Sequence, residues 1–398
     1  MQNVYRFSLL LVFFAGALSN VASSQERAPP SDKAAANVIR VGSAREVRTL
    51  QKAAEIARDG DTIEVDSGDY HGDTAVWTQN DLVIRGTGTR PRVVSDGVQT
   101  AEGKGLFVVR GGNVTIENLG FFGARVADRN GAGVRLERGR LRVIRCAFEG
   151  NENGILTSNE QTLELHVVDS TFVNNGAGDG QSHSLYAGTI AVLDVRGSYF
   201  GRARTGHLLK SRSKVTSVYY SRLTGEGGTS SYEIDIPNGG DFIAVGNLIQ
   251  QGDLTENPVM ISYGAEGYRW PVNRARITFN TLVSDRAQPG VFIAVRAGAA
   301  EASITNNILV GRGELDVKAP AAIKGNVPAR VADFADPAKF DYRLRSGSPL
   351  VGSAGPASAL GKDERPTSQY LHVAGSVELG GMTDVTRLSP GAFQRLAR

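Results

Sequence analysis

The sequence predicts an all-β fold, a right-handed parallel β-helix of about 9–10 coils, and three observations carry that expectation. The first is a repeat of an aliphatic residue, a residue three later that is often Asn, Ser or Cys, and a large apolar residue two beyond that. It occurs as Ile116-Leu119-Phe121, Val143-Cys146-Phe148, Val167-Ser170-Phe172 and Val195-Ser198-Phe200. It continues as Val218-Ser221-Leu223, Ala244-Asn247-Ile249, Ile277-Asn280-Leu282 and Ile304-Asn307-Leu309, with weaker members at Ile84 and at Ile323 with Asn326. The starting positions lie 27, 24, 28, 23, 26, 33 and 27 residues apart, a period suited to one coil of short strands. The second observation is glycine: 48 of 398 residues, about 12% against a usual 7%, which implies many tight turns. The third is a single cysteine, which leaves burial in stacked coils rather than disulfides to hold the chain together.

The elements follow in chain order. Residues 1–25 read as an export signal: Arg6 supplies the positive start, Phe7–Leu18 the apolar run, and Ala17, Ser19, Ala22 and Ser23 the small residues of a cleavage region. The apolar run is short for a membrane span, so a periplasmic or secreted protein without a stable membrane span is expected. Residues 26–37 form a flexible leader. Within Arg48–Arg58, Leu50, Ala53, Ala54 and Ala57 recur at helical spacing, and Asp59-Gly60-Asp61 ends the run. This predicts a short amphipathic helix capping the first coil, since an open solenoid end exposes strand edges. The β-helix with its cap occupies 38–330, and the repeat stops near Val331. The irregular 331–398 tail, rich in Gly, Ser and Pro, is expected to cover the coils.

Stacking the repeat predicts columns. Asn247, Asn280 and Asn307 would form a hydrogen-bonded ladder, with Ser170, Ser198 and Ser221 as hydroxyl members. Phe121, Phe148, Phe172 and Phe200 would stack in the core, and Cys146, in the ladder column, would be a buried structural thiol.

Composition narrows the function. A net charge of +3 and interspersed acids give no support to nucleic-acid binding, and recurrent Val, Ile, Leu and Phe argue against disorder. No cysteine pair, His cluster or Asp-rich turn suggests a built-in metal, and no glycine segment has phosphate-loop spacing. His71, His166 and His372 are scattered and read as structural, as does the adjacent pair Tyr219-Tyr220. The stretch RLERGRLRVIR (Arg135–Arg145) alternates like a solvated strand face, with an anionic-glycan contact as its alternative.

Chemistry-bearing residues concentrate between Gly180 and Asn273. Aligning HSLYAGT from His183, HLLKSRS from His207 and YEIDIPN from Tyr232 puts Leu185, Leu209 and Ile234 inside. His183, His207 and Tyr232 then share one outer region, and Tyr186, Lys210 and Asp235 another. Arg212, Glu233, Tyr263, Glu266, Arg269 and Trp270 lie in these or nearby coils. Aromatic platforms beside cations suit an extended acidic polysaccharide, whose rings stack and whose carboxylates pair with Lys or Arg. Lys210 and Asp235 equally fit an exposed ion pair, and His183 and His207 fit turn or ladder positions.

The segments VRTLQKAAEIARDGDTIEVDSGDYHGD, FDYRLRSGSPLVGSAG and GAFQ resemble the opening and closing segments of the pectate-lyase-like β-helix superfamily of exported bacterial carbohydrate-active proteins. This resemblance spans roughly 38–394 and implies the fold. A narrower stretch, GHLLKSRSKVTSVYYSRL (Gly206–Leu223), is similar to the lysine-serine coil of the alginate lyase and chondroitinase B family. That similarity implies that Lys210 is the base acting beside a uronate carboxylate and that Ser211 is the family serine. The next coil, YEIDIPN, carries acids where that family has an arginine, and its Asn-Gly-Glu calcium segment is absent, so no motif indicates calcium.

β-Elimination on a uronate needs a base for the C5 proton, an acid for the leaving oxygen and a cation for the developing enolate. Lys210 or His207 fits the base, Tyr186 or Tyr232 the acid, and Arg212 the stabiliser. Asp235 next to Lys210 would raise the lysine pKa, which favours His207 as base and Lys210 as the cation that neutralises the substrate carboxylate. The expectation is therefore a monomeric, cofactor-free polysaccharide lyase, or a C5-epimerase sharing its proton abstraction. His183, Glu233, Asp235, Tyr263, Glu266, Arg269 and Trp270 would bind the substrate. A hydrolase using a carboxylate pair from Glu233, Asp235 and Glu266 is the second reading, and a non-catalytic glycan-binding protein the third.

Overall fold

The computed structural model describes residues 37–97, 100–354, 360–380 and 387–394. The expected export signal, and all of the expected leader except Asn37, lie outside the described residues. Among these residues, strands stack into three long parallel sheets that wind into a right-handed β-helix. The first sheet has 12 strands, from Val38–Val41 to Ala321–Lys324, and the second has 10, from Ala75–Trp77 to Gly313–Val317. The third has 11, from Asp69–His71 to Val327–Ala329. Ten second-sheet strands agree with the expected coil number, and the longer sheets add partial coils at the ends.

Each coil runs from the first sheet through a tight turn to the third, then by a longer connection to the second and back. The tight turn holds the repeat's polar position. Asn247 and Asn280 each accept, through Oδ1, the backbone N–H of the residue one coil earlier in this column, and Asn307 and Asn326 extend the ladder. Their Nδ2 groups donate to the next Oδ1 at 2.8–3.0 Å. Serine Oγ atoms carry the column upward, accepting the N–H of Cys146, Ser170 and Ser198 at 3.1–3.2 Å. Cys146 is fully buried in this column, and burial pushes its thiol up to about 12. The residue just before the ladder position has a left-handed backbone in nearly every coil: Arg145 (φ 51°), Asp169 (49°), Tyr220 (47°) and Phe279 (54°). Gly246 and Gly325 take the same conformation at no steric cost. The strain at the larger residues persists because ladder bonds on both sides over-determine the turn. A second, unforeseen ladder joins Asn151 to Asn175 at 3.1 Å, each donating to a carbonyl one coil earlier.

Beside the ladder the core stacks as expected. Phe121, Phe148, Phe172 and Phe200 lie face to face, with centroids 5.2, 4.7 and 4.5 Å apart. Each such burial contributes about 1.5–3 kcal/mol. At the N-terminal end the helix Leu50–Ile56 buries Leu50, Ala53 and Ala54, and the Asp73 carboxylate accepts the N–H groups of Leu50 and Gln51. The described part of the tail lies on the outside of the third sheet. Phe334, Tyr342, Leu344, Tyr370, Ala392 and Phe393 pack on Leu248, Val283, Ile308 and Val310. Beneath the tail, fully buried Arg222 pairs with Glu226 and stacks 3.6 Å from the Phe340 ring centroid.

Removing one ladder amide should leave the Asn247 N–H and the Ala244 carbonyl without their Asn280 partners. Asn280→Ala is expected to cost about 1–3 kcal/mol, read as a lower denaturation midpoint. A midpoint equal to the wild type would show that the ladder does not hold the coils.

Candidate functional site

The second sheet's strands Leu185–Ala187, Leu209–Ser211, Ile234–Ile236 and Val259–Tyr263 place Tyr186, Lys210, Asp235 and Ser262 in register on one outer row. Coils repeat at about 4.8 Å, so residues 24 or 25 apart in sequence become neighbours. Loops leaving these strands add Arg212, Asn238, Glu266 and Trp270. Glu266 and Trp270 belong to the segment behind the longest repeat spacing, which bulges over the row.

These side chains form one connected network. Lys210 Nζ lies 3.6 Å from Asp235 Oδ2, 3.7 Å from Glu266 Oε1 and 5.7 Å from the Tyr186 ring centroid. Arg212 Nε donates to the Tyr186 hydroxyl at 2.9 Å, its Nη atoms bind Glu266 at 2.6 and 2.9 Å, and one also bonds Asn238 Oδ1. Trp270 Nε1 donates to the Arg212 carbonyl at 3.1 Å. Arg212 holds Glu266 below the usual carboxylate range. Burial raises Asp235 to about 6 against the opposing pull of Lys210. Asp235 is nearly covered, and its Oδ1 has no hydrogen-bond partner among the described residues.

The histidines form a ladder of their own. Asn153 Oδ1 accepts the His183 N–H at 2.9 Å, His183 Nδ1 accepts the His207 N–H at 3.0 Å, and His207 Nδ1 accepts the Tyr232 N–H at 3.2 Å. The His183 and His207 rings stack at 4.6 Å and 6°, and Tyr232 caps them at 4.9 Å. Gly206 (φ 116°) permits this approach, because a Cβ there would meet the Ser182 carbonyl oxygen at 2.1 Å. With Nδ1 accepting, the neutral His207 ring carries its proton on Nε2, 3.5 Å from Asp235 Oδ2. Burial, then the Lys210 charge, lowers His207 to about 3. Burial likewise lowers His183.

This geometry corrects several sequence expectations. His207 has no free basic nitrogen, because Nδ1 is committed to the backbone, so it cannot serve as the base in this arrangement. His183 is 2% exposed and supports the row from below. Tyr263 is fully buried and donates to the Gly240 carbonyl at 2.6 Å, so it is a core residue. Glu233 is also fully buried, held by Ser230 and Gln251, with burial pushing its carboxyl well above the usual range. Glu233 precedes the strand Ile234–Ile236, so alternation does not reach it and the chain turns it inward, whereas Tyr263 shares the inward face of Ile261 and pairs in register with buried Ile236. Ser211 likewise points inward, bonding Ser213 and Thr216. Arg269 is exposed and joins the site through its backbone N–H on the Asn238 carbonyl. Arg135, read as part of a solvated face, lies on the same outer row as Tyr186, separated from it by Leu156. Register was the missed signal, since its partner strands lie 21 and 51 residues downstream. Among the described residues no group of three or more His, Cys, Asp or Glu side chains is arranged to hold a metal ion.

The histidine ladder should make the fold acid-sensitive. An unfolded His207 takes up a proton near pH 6.5 while the folded one resists until about pH 3, so stability falls as pH drops through that window. Asp235 opposes this between its ordinary 3.8 and about 6, where the folded state binds the extra proton. His207→Asn, which keeps a ladder acceptor, should flatten the fall in denaturation midpoint below pH 6.5. An unchanged pH profile would show that His207 is not buried neutral.

Among solved structures, the chain is similar to pectate lyase Pel9A, with a TM-score of 0.61 and 12% identity over 90% of this chain and 96% of that one. It also aligns with Geobacillus virus E2 ORF18 at a TM-score of 0.43 and 12% identity, covering 69% of this chain and 55% of that one. No protein-family model and no curated protein matches the sequence. The similarity to pectate lyase Pel9A is one of fold: the chain has the pectate-lyase-like parallel β-helix architecture.

Proposed function

We propose that this is an exported, periplasmic or secreted, carbohydrate-active β-helix protein that cleaves an acidic, uronate-containing polysaccharide by β-elimination. The observation that carries the reading is the Tyr186–Lys210–Arg212 cluster on one outer row, a phenol and two cations joined by direct contacts. The pectate lyase neighbour supports a polysaccharide substrate for such a face.

The roles follow from the contacts. Arg212 takes the substrate carboxylate, displacing the half-exposed Glu266 that now occupies its guanidinium. Neutralising that carboxylate stabilises the enolate that forms when the C5 proton leaves. Lys210 meets that proton. Asp235 lies beneath Lys210 with an unpartnered Oδ1, and its raised affinity makes it the nearest acceptor for the lysine's own proton. The Tyr186 oxygen accepts from Arg212, which leaves its O–H free to protonate the departing glycosidic oxygen. The same proton abstraction followed by return from the opposite face would give C5-epimerisation.

Hydrolysis ranks second on a specific observation. It needs two carboxylates flanking the scissile bond. The pair here, Asp235 and Glu266, is engaged by Lys210 and Arg212, and Asp235 is 2% exposed. A binding-only protein would use the same face without turnover.

Incubation with a panel of acidic and neutral polysaccharides separates these readings. Elimination yields the ultraviolet absorbance of an unsaturated uronate, hydrolysis yields reducing ends without it, and binding alone yields neither. Lys210→Ala should lower kcat by about 10²–10⁴-fold with the fold intact. Wild-type rates in that variant would remove this row as the active site. Because Asp235 must be ionised to accept a proton, kcat/KM should fall as pH drops below about 6. Asp235→Asn should be slow and should lose that acid limb. An acid limb persisting in Asp235→Asn would assign it to another group.

A further inference from the structure

The outer row continues past Tyr186 toward the N-terminal coils, and there the surface opens into a cleft of about 340 Å³. Arg135, Leu156 and Tyr186 occupy successive coils in register, with Lys210 next, so Arg135 lies about 14 Å from Lys210 along the axis at about 4.8 Å per coil. Arg135, Lys104, Asn130, Thr157 and Tyr186 are among the residues that line the cleft. Strand geometry alone directs Arg135 outward, since Val134 and Leu136 on either side are fully buried.

Arg135 differs from Arg140 and Arg145 of the same segment. Arg140 and Arg145 meet Glu164 and Glu117 directly, as solvated strand faces do. Arg135 Nε is buried and has no hydrogen-bond partner among the described residues. Its nearest acid is Glu137 at 3.9 Å, and that carboxylate is already held by Lys104 at 2.7 Å and Arg110 at 2.7 Å. Asp128 also lines the cleft, and its carboxylate accepts the Asn130 backbone N–H at 3.2 Å. A guanidinium desolvated on one side and lacking a close carboxylate is costly unless an anion completes it. Its fork fits a carboxylate.

We propose that the Arg135 cleft is a second carboxylate-binding subsite, taking an acidic sugar unit of the same chain whose reacting unit lies at Lys210 and Arg212. It rests on the polysaccharide reading above and adds a direction to it. The bound chain runs along the β-helix axis across coils, passing over Leu156 and Tyr186. Tyr186 joins the two sites, lining the cleft while its ring faces Lys210 and its hydroxyl meets Arg212.

The test compares a two-unit with a six-unit uronate oligomer by calorimetric titration of the full chain, with Lys210→Ala as the common parent so that no ligand is cleaved, using galacturonate, mannuronate and guluronate series. A two-unit ligand is too short to reach from Lys210 to Arg135. Arg135→Gln should weaken six-unit binding at least tenfold and leave two-unit binding unchanged. Arg212→Ala should weaken both. Arg135→Lys, which keeps the charge without the planar fork, should recover only part of the loss, and an unaltered thermal midpoint in either Arg135 variant excludes misfolding. The parent's affinity for the six-unit ligand retained in Arg135→Gln overturns the subsite while leaving the Lys210 reading intact. Absence of binding to every series by the Lys210→Ala parent, with no cleavage of any series by the wild type, overturns both.

Discussion

The structure depends on a hydrogen bond repeated in each coil from Cys146 to Asn326, from a backbone N–H to a side chain of the next coil in the tight turn between the first and third sheets. Asn247, Asn280, Asn307 and Asn326 make it with amides, and Ser170, Ser198 and Ser221 make it with hydroxyls. Left unpaired at this depth, each N–H would cost about 1–3 kcal/mol. The bond also holds the preceding residue in the left-handed region, even where that residue is Tyr220 or Phe279. A turn held so tightly fixes register in all three sheets, and register is what gathers the outer side chains into rows. The site is therefore a consequence of the ladder: Tyr186, Lys210 and Asp235 are neighbours because Leu185, Leu209 and Ile234 stack inside.

The same device recurs under the site with imidazoles in place of amides. His183 and His207 use Nδ1 as Asn uses Oδ1, and both stay neutral through burial. That leaves the charge of the row to Lys210 and Arg212 against Asp235 and Glu266. Of the acids, Glu266 is half-exposed and free to yield its place to a ligand, whereas Asp235 is held below the surface. An exposed carboxylate in the place of a substrate carboxylate, and a buried one with its affinity raised, are different tools made by environment alone.

Much of the architecture was legible in the sequence because it is periodic. The Asn and Ser column, the phenylalanine stack, the buried Cys146 and the cap helix all follow from spacing, and the structure places them accordingly. The Tyr186, Lys210 and Asp235 row was equally readable from aligned coils. What failed were residues judged by residue type without register. Glu233 precedes its strand and turns inward, and Tyr263 lies on the inward face of its strand opposite Ile236. Arg135 was hidden because its partners lie in later coils with different local sequence. The left-handed turn was partly visible in Gly197-Ser198 and Gly246-Asn247, but Phe279-Asn280 and Tyr220-Ser221 carried no such mark.

In the proposed reaction the Lys210 row removes a proton beside a uronate carboxylate. The most direct measurement is nuclear magnetic resonance of a uronate polymer incubated with the protein in deuterated water. C5 protons should be lost or exchanged for deuterium with the wild type and retained with Lys210→Ala. Chains that are cleaved with every C5 proton intact would contradict it.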